Sequence, residues 1–418
     1  MRTDRVNGPA VEGASQGAWM EWLDWLDPRR HWLRVLLLFV PIAVLMKFTG
    51  ADAVWLFAAA GAAIIPLAGL LGESTEQVAR KLGPGIGGLL NATFGNAAEL
   101  IISLFALSRG LDSVVKASLT GSIIGNLLLV MGAAMLAGGI KCPELKFNRT
   151  AAGIGATMML LASIGLLVPA IFHSLPGVEA ANDQLEHGLS LGVSGILIVT
   201  YVLHLVFSLI THRDLYNPDT GAREDSEPGW SVTKATILLV GSTVLVAWMS
   251  EILVGAVEQA SESLGMTEIF VGVIVVAIVG NAAEHSTAVL VALEEQMDLA
   301  VGIAMSSALQ IALFVAPVLV FASYLREQPM DLLFSTMEIV AVILAALIAR
   351  AVAEDGESNW LEGAMLLMIY ALLALAFFFL PEKKASPART GAEEKAAGVE
   401  WRIIEGDRGF CEAKWIPG

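Results

Sequence analysis

The sequence predicts an all-α polytopic membrane protein of about 11 transmembrane helices, one N-terminal helix followed by two inverted five-helix repeats. Three observations carry this. The 418 residues are 56% hydrophobic and only 16% charged, with mean hydropathy +0.69, too little charge to cover a soluble chain of this length. Apolar runs of the ~20 residues that cross a hydrocarbon core recur along the chain, whereas the alternating segments of roughly 10 residues that build membrane β-barrels do not. The letters GNAAE occur twice, at Gly95–Glu99 and Gly280–Glu284, both inside such runs.

Taken in order, residues 1–31 carry Trp19, Trp22, Leu23 and Leu26 at helical spacing, with Asp24 and Asp27 facing elsewhere. That pattern predicts a short amphipathic helix lying in the membrane interface, against the alternative of an unstructured N-terminus. The segment 32–52 holds the first span, near 32–49, which is too long for a signal-peptide core and is expected to stay in the membrane. Spans near 53–72, 84–107, 117–138, 150–172 and 187–210 make a first repeat, 53–210. An acidic linker, 211–231, separates it from spans near 232–256, 268–292, 299–322, 332–351 and 360–380, the second repeat. The tail, 381–418, is polar and expected to begin without structure.

Basic residues set the orientation. With the N-terminus cytoplasmic, Arg29, Arg30, Arg80, Lys81, Lys141, Lys146 and Arg149 are among the many inner ones, and the outer loops keep only Lys47, Arg109, Lys116 and Arg326. An odd number of spans then places the tail outside. The two cysteines, Cys142 and Cys411, lie in a loop and the tail, so neither a disulfide framework nor a thiolate metal site is expected. The net charge of −16 argues against nucleic acid as a partner. The expected partners are the lipid bilayer and transported ions, with a homo-oligomer left open.

The GNAAE echo is one of three. TEQVARKLG (Thr75 to Gly83) precedes the first copy and VEQASESLG (Val257 to Gly265) the second; TGSIIGNLLLV (Thr120 to Val130) follows the first and MSSALQIALFV (Met305 to Val315) the second. Repeated order of this kind marks a duplication. Five is odd, so the Glu99 helix runs outward and the Glu284 helix inward. Inverted repeats of this kind place a transported substrate near the bilayer midplane, where the halves meet.

A carboxylate at the centre of a membrane helix costs roughly 3 kcal/mol or more, so Glu99 and Glu284 are expected to face the bundle interior or a water-filled cavity. Asn96 and Asn281 lie one turn earlier on the same faces, and Gly95 and Gly280 allow close crossing or a helix break that frees carbonyls. Two carboxylates with amide and carbonyl oxygens suit calcium, which takes 6–8 oxygens at about 2.3–2.6 Å. Ser122, Asn126, Ser306 and Gln310 are further candidates, as ligands or as groups that orient them. The same carboxylates can hold protons, and one divalent cation or two protons would each cancel both charges. His285, matched by Leu100 in the first half, is either a proton carrier or a hydrogen-bond partner. Glu76 and Glu258 are solvated helix-end carboxylates or cation guides, and Glu251, deeper in its span, is a stronger accessory candidate. The acidic residues Asp214, Asp219, Glu224, Asp225 and Glu227 are a solvated linker or a regulatory cation site.

GNAAELIISLFAL and GNAAEHSTAVLVAL closely resemble the paired signatures of the calcium/proton exchangers, the CAX family of the calcium/cation antiporter superfamily. VFSLITHRDLY (Val206 to Tyr216) and SSALQIALFVAP (Ser306 to Pro317) resemble further segments of it, so the likeness spans about residues 32–380. The resemblance implies eleven spans, coordination of the cation and exchange for protons at Glu99 and Glu284, and surrounding roles for Asn96, Asn281, Ser122 and Gln310. The expectation is therefore a transporter, not an enzyme, without a cofactor, extruding calcium across a bacterial cytoplasmic membrane in exchange for protons. The rivals are a sodium/calcium exchanger of the same superfamily and a cation channel or sensor. Neutralisable paired carboxylates in an inverted repeat speak against the channel.

Overall fold

The structure is a computed structural model that describes residues 32–175, 183–216, 230–381, 403–405 and 411–413. The interfacial segment around Trp19 and Trp22 and most of the acidic linker lie outside the described residues.

In chain order, α1 (Val35–Thr49) ends on Gly50 with φ +67, and α2 (Ala53–Leu82) starts where the Asp52 carboxylate accepts from the Val54 N–H at 2.9 Å. α3 (Pro84–Phe94) and α4 (Ala97–Ser108) form one run bent by 45°. α5 (Asp112–Lys141), α6 (Arg149–His173) and α7 (Gln184–Thr211) follow, then α8 (Val232–Leu264). α9 (Glu268–Gly280) and α10 (Ala282–Leu293) form a second run, bent by 57°. α11 (Met297–Ser323), α12 (Thr336–Val352) and α13 (Trp360–Phe378) complete the helices. Among the described residues, seven helices are long and apolar enough to cross a membrane, or nine if each bent pair is one span. α1 is shorter, and α12 has 17 residues.

The start of α12 differs from the hydropathy reading for a local reason. The Asp331 carboxylate takes the Leu333 N–H at 2.9 Å and Lys116 Nζ donates to the Leu333 carbonyl at 3.0 Å, so residues 332–334 stay outside the helix. Ser335 and Glu338 then close a reciprocal capping box. Large apolar side chains such as Ile196, Leu203, Val240 and Leu372 point outward, while Ala, Ser and Asn fill much of the interior. This is the distribution a bilayer solvent favours, with small residues letting helices approach. At the closest crossing, a Cβ on Gly121 of α5 would overlap the Val273 carbonyl of α9, and one on Gly272 would lie 2.6 Å from Ala117 Cβ.

Polar contacts sort the helix ends into two groups. One group joins Gln77 to the Trp230 N–H (3.2 Å), Lys141 to the Leu293 carbonyl (3.3 Å) and Asn148 to the Leu215 carbonyl (3.0 Å); here β1 (Leu145–Lys146) pairs antiparallel with β2 (Glu357–Ser358). The other joins Arg326 to Asp112 (2.7 Å), Ser113 to Glu268 (3.0 Å) and Lys47 to Glu251 (3.2 Å), with Lys116 on Asp331. α2 ends in the first group and α8 in the second, so these two packed helices run in opposite directions.

Residues Leu380–Gly418 form a separate unit. Within it, β3 (Ile403–Glu405) pairs antiparallel with β4 (Cys411–Ala413), local order that the polar composition of the tail did not announce.

Candidate functional site

Both GNAAE copies sit on helix breaks. Gly95 and Asn96 separate α3 from α4, and Asn281 separates α9 from α10. Asn96 (φ −108, ψ 34) and Asn281 (φ −93, ψ 12) hold the sparsely occupied conformation between helix and extended chain that small polar residues tolerate. Each is the N-cap of the following half-helix. Glu99 and Glu284 thus fall in the first turns of α4 and α10, where the helix dipole favours negative charge. The breaks explain the motif: they let a charged group sit at a helix N-terminus in the middle of an apolar run.

The halves touch here. A Cβ on Gly280 would lie 3.2 Å from Glu99 Cγ, and one on Gly95 would lie 3.3 Å from Gln310 Oε1. At Gly280 the Glu99 side chain of the other half occupies the space, whereas a Cβ at Gly95 would first meet the Asn91 carbonyl of its own half at 2.9 Å. Glu99 therefore packs against the second GNAAE turn, four residues before Glu284.

An unbroken chain of hydrogen bonds surrounds the breaks. Gln310 Oε1 accepts from Asn96 Nδ2. Ser307 Oγ donates to Asn96 Oδ1 at 2.8 Å. Asn126 Nδ2 donates to Ser307 Oγ at 3.0 Å and to Asn281 Oδ1 at 2.8 Å. Asn281 Nδ2 donates to Ser122 Oγ at 2.9 Å and to its own helix's Ala277 carbonyl at 2.8 Å. The arrangement is two-fold in character: Asn96 takes a serine from α11 and Asn281 takes one from α5.

Within this network some acceptors have no hydrogen-bond partner. They are Glu99 Oε1 and Oε2, Glu284 Oε2 and Asn126 Oδ1, and His285 Nε2 is likewise buried without one. Glu99 is 4% exposed. A buried carboxylate with neither oxygen bonded is costly unless a cation or a proton meets it.

Several expected residues fall elsewhere. Ser306 is exposed and turns back to the Ile303 carbonyl at 3.3 Å; Ser307 holds the place in the network. A constant spacing of 185 residues, from Glu99 to Glu284, carries Ser122 to Ser307, so the signal was in the sequence. Glu251 is not deeply embedded: it is 42% exposed and paired with Lys47 of α1. Glu76 is bonded to Arg80 at 2.8 Å on an exposed face, and Glu258 is exposed. None of these three joins the breaks. A residue missed from the sequence is Glu338, 4% exposed, which accepts from the Ser335 N–H at 2.8 Å and receives the Thr120 hydroxyl at 3.4 Å. It braces α5 two residues before Ser122, and its S-x-x-E capping pattern was the available sign.

Fold and site together define a helical membrane protein with one buried and one half-buried carboxylate on broken helices, the anatomy of a secondary transporter. The sodium/calcium exchanger protein family matches residues 52–210 and 234–379, and the chain belongs to that family. It is 47% identical over 365 residues to the Ca(2+)/H(+) antiporter of Synechocystis sp., covering 83% of this chain and 97% of that one. It is 46% identical over 344 residues to the Ca(2+)/H(+) antiporter ChaA of Bacillus subtilis, covering 82% and 97%. The solved structure of native YfkE superposes with a TM-score of 0.71 at 41% identity, covering 83% of this chain and all of that one (100%). The H+/Ca2+ exchanger CAX shares the fold, with a TM-score of 0.62 at 13% identity over 84% of this chain and 92% of that one.

Proposed function

We propose that this chain is a calcium/proton antiporter of a bacterial cytoplasmic membrane, exporting calcium by alternating access at the expense of inward proton flow. The observation that carries the reading is Glu99, buried, with both oxygens unpartnered, packed against the second GNAAE turn. Its named relatives from two bacteria support the pair of ions.

Glu99 and Glu284 supply the charge that a divalent cation needs and the oxygens that protons occupy in its place. Asn126 Oδ1 is a third open acceptor. Asn96, Asn281, Ser122, Ser307 and Gln310 hold one another, so their work is to fix the two breaks in register, and backbone carbonyls near the breaks complete an oxygen shell. His285 adjoins the pair. With α1 and α12 counted beside the nine longer spans, eleven cross the bilayer. The opposed directions of α2 and α8 support inverted repeats at 53–210 and 232–380.

The test is reconstitution. In proteoliposomes, an imposed pH step is expected to drive calcium uptake, and a sodium gradient alone is not. Sodium-driven uptake without a pH effect would favour the sodium/calcium rival, and calcium flux without counter-transport would favour a channel.

Orientation has a native probe. Cys142 adjoins Lys141 at the end assigned to the cytoplasm, and the Glu295 carboxylate, which takes a hydrogen bond from its thiol, pushes the thiol pKa up. The reactive thiolate is thus scarce at neutral pH, and labelling is expected to accelerate as pH rises beyond the ordinary thiol range near ~8.5. In a Cys411→Ser background, an impermeant maleimide is expected to reach Cys142 only from the cytoplasmic side. With Cys142→Ser and Ser263→Cys added, labelling is expected only from outside. Labelling of both positions from one side would defeat the inverted topology.

A further inference from the structure

The two breaks differ at one backbone carbonyl. Ala92 and Ala277, 185 residues apart, each lie four residues before the asparagine of their break. In an unbroken helix that carbonyl takes the asparagine N–H. Ala277 does so: its carbonyl accepts from the Asn281 N–H at 3.0 Å and from Asn281 Nδ2 at 2.8 Å. Among the described residues, the Asn96 N–H makes no such bond to Ala92, and Asn96 Nδ2 turns to Gln310 of the other half. The Ala92 carbonyl is taken instead by the Tyr201 hydroxyl of α7, at 2.9 Å. Tyr201 is 4% exposed, and its ring stacks on Phe314 of α11, the helix that brings Ser307 and Gln310 to the first break, with centroids 5.2 Å apart. Tyr201 therefore stands in for the helical bond that the first break lacks.

A second buried tyrosine lies at the depth of the second break. Tyr370 of α13 is 8% exposed, and among the described residues its hydroxyl has no hydrogen-bond partner, whereas those of Tyr201 and Tyr324 do. Buried phenols usually find one. α13 and α9 run in opposite directions: Trp360 starts α13 beside Gly139, at the end where β1 pairs with β2, and Glu268 starts α9 beside Ser113, at the other end. Phe378 meets Phe270 edge-on, with centroids 5.2 Å apart. Tyr370 is eight residues back from that contact and Ala277 seven residues on. At a rise of ~1.5 Å per residue the two share a depth. Tyr370 also shares a helix stripe with Gly363 and Leu366, which pack against Leu136 and Gly132 of α5, the helix that brings Ser122 and Asn126 to the second break.

We propose that Tyr201 and Tyr370 are paired positioning residues, one for each break, which take the Ala92 and Ala277 carbonyls in opposite-facing forms of the transporter. This rests on the reading of the chain as an alternating-access antiporter with inverted repeats. A two-fold axis in the membrane plane exchanges inside with outside, so the form one half holds now is the form the other half holds after the switch. In the opposite form, Asn96 closes its bond to Ala92 and Tyr201 lets go. Asn281 then releases the Ala277 carbonyl, and Tyr370 takes it. Each hydroxyl thus stabilises one facing form only, and acts through the break that carries Glu99 or Glu284; neither tyrosine is assigned to the cation.

The test is the KM for calcium measured from each face, in right-side-out and inside-out vesicles, for Tyr201→Phe, Tyr370→Phe and the double variant. Phenylalanine keeps the ring and removes only the hydroxyl. Tilting the balance between two facing forms moves the apparent affinities on the two faces in opposite directions. One hydrogen bond is worth about fivefold in such a balance, so Tyr201→Phe is expected to move the ratio of the two KM values about fivefold one way and Tyr370→Phe about fivefold the other way. The double variant is expected to return close to the wild-type ratio. Tyr201→Phe is also expected to lower the melting temperature and Tyr370→Phe is not, because the Tyr370 hydroxyl is unbonded here. Tyr370→Phe therefore gives a reading by itself if Tyr201→Phe fails to fold. A hydroxyl that only stabilises the fold would move the melting temperature and leave the ratio alone. Calcium/proton exchange in which folded Tyr370→Phe keeps the wild-type KM ratio, or in which both variants shift it the same way, would overturn the proposal. Wild-type vesicles that show no calcium/proton exchange would instead overturn the functional reading beneath it.

Discussion

Glu99→Gln and Glu284→Gln are each expected to lower calcium/proton exchange at least about 100-fold, while the protein still inserts and purifies. The magnitude follows from what is removed. Losing an outer partner of a metal ligand commonly costs ~10–100-fold, and in the proposed mechanism these are the charged ligands themselves. Glutamine keeps the shape and one carbonyl oxygen, so the packing of Glu99 against Gly280 survives. It supplies no formal charge and no carboxyl proton at working pH. Stability is not expected to suffer, because both Glu99 oxygens and Glu284 Oε2 already lack hydrogen bonds. Transport in vesicles, with size-exclusion profiles as the folding control, reads both parts. Near-normal exchange in either variant would remove the paired-carboxylate mechanism.

The amino-acid sequence announced the centre of the site more clearly than its periphery. GNAAE placed a glycine, an amide and a carboxylate at fixed offsets in each half, and all of them meet at the two breaks. Asn126, Ser122 and Gln310 also join, because their flanking segments repeat. What the letters could not show is which atom bonds which. Asn126 and Gln310 play related parts although they are 184 residues apart, one fewer than the repeat spacing. Each helix carries a wide, π-helical turn here, at Gly125–Val130 in α5 and Ile311–Val315 in α11. Asn126 lies inside its wide turn and Gln310 just before the other, a shift that a gap-free reading does not see. The same reading chose Ser306 over its neighbour Ser307, and one residue on a helix turns a side chain by about 100°. Glu251 stands apart from the breaks for a different reason. Depth along one helix says nothing about which helix lies alongside, and α1 brings Lys47 to it. The start of α12 shifted from residue 332 to Thr336, where a polar cap overrode three apolar letters.

The second large effect is expected in the pH dependence of calcium binding, because in the proposed mechanism calcium and protons compete for the same oxygens. In the proposed mechanism the two carboxylates lie close together away from bulk water and cannot both ionise cheaply, so the cation-free pair would hold at least one proton, with a titration that belongs to the pair. A bound divalent ion reverses that preference and expels the protons. On this proposed mechanism one calcium or two protons would leave the site near neutral and free to pass between inward- and outward-facing forms, whereas the empty dianion would be too poorly solvated to do so. Exchange by the pair alone is then electroneutral at two protons per calcium, and a proton carried by His285 would make it electrogenic. Each proton displaced contributes one logarithmic unit of affinity per pH unit, so the apparent dissociation constant is expected to rise by about 10–100-fold for each unit of acidification across the titration range. The decisive measurement is isothermal calorimetry of calcium binding to the purified protein in buffers of different ionisation enthalpy, repeated across a pH series. The expected result is release of one to two protons per calcium, reduced in Glu99→Gln; binding with no proton release anywhere between acid and neutral pH would mean that calcium and protons use separate sites.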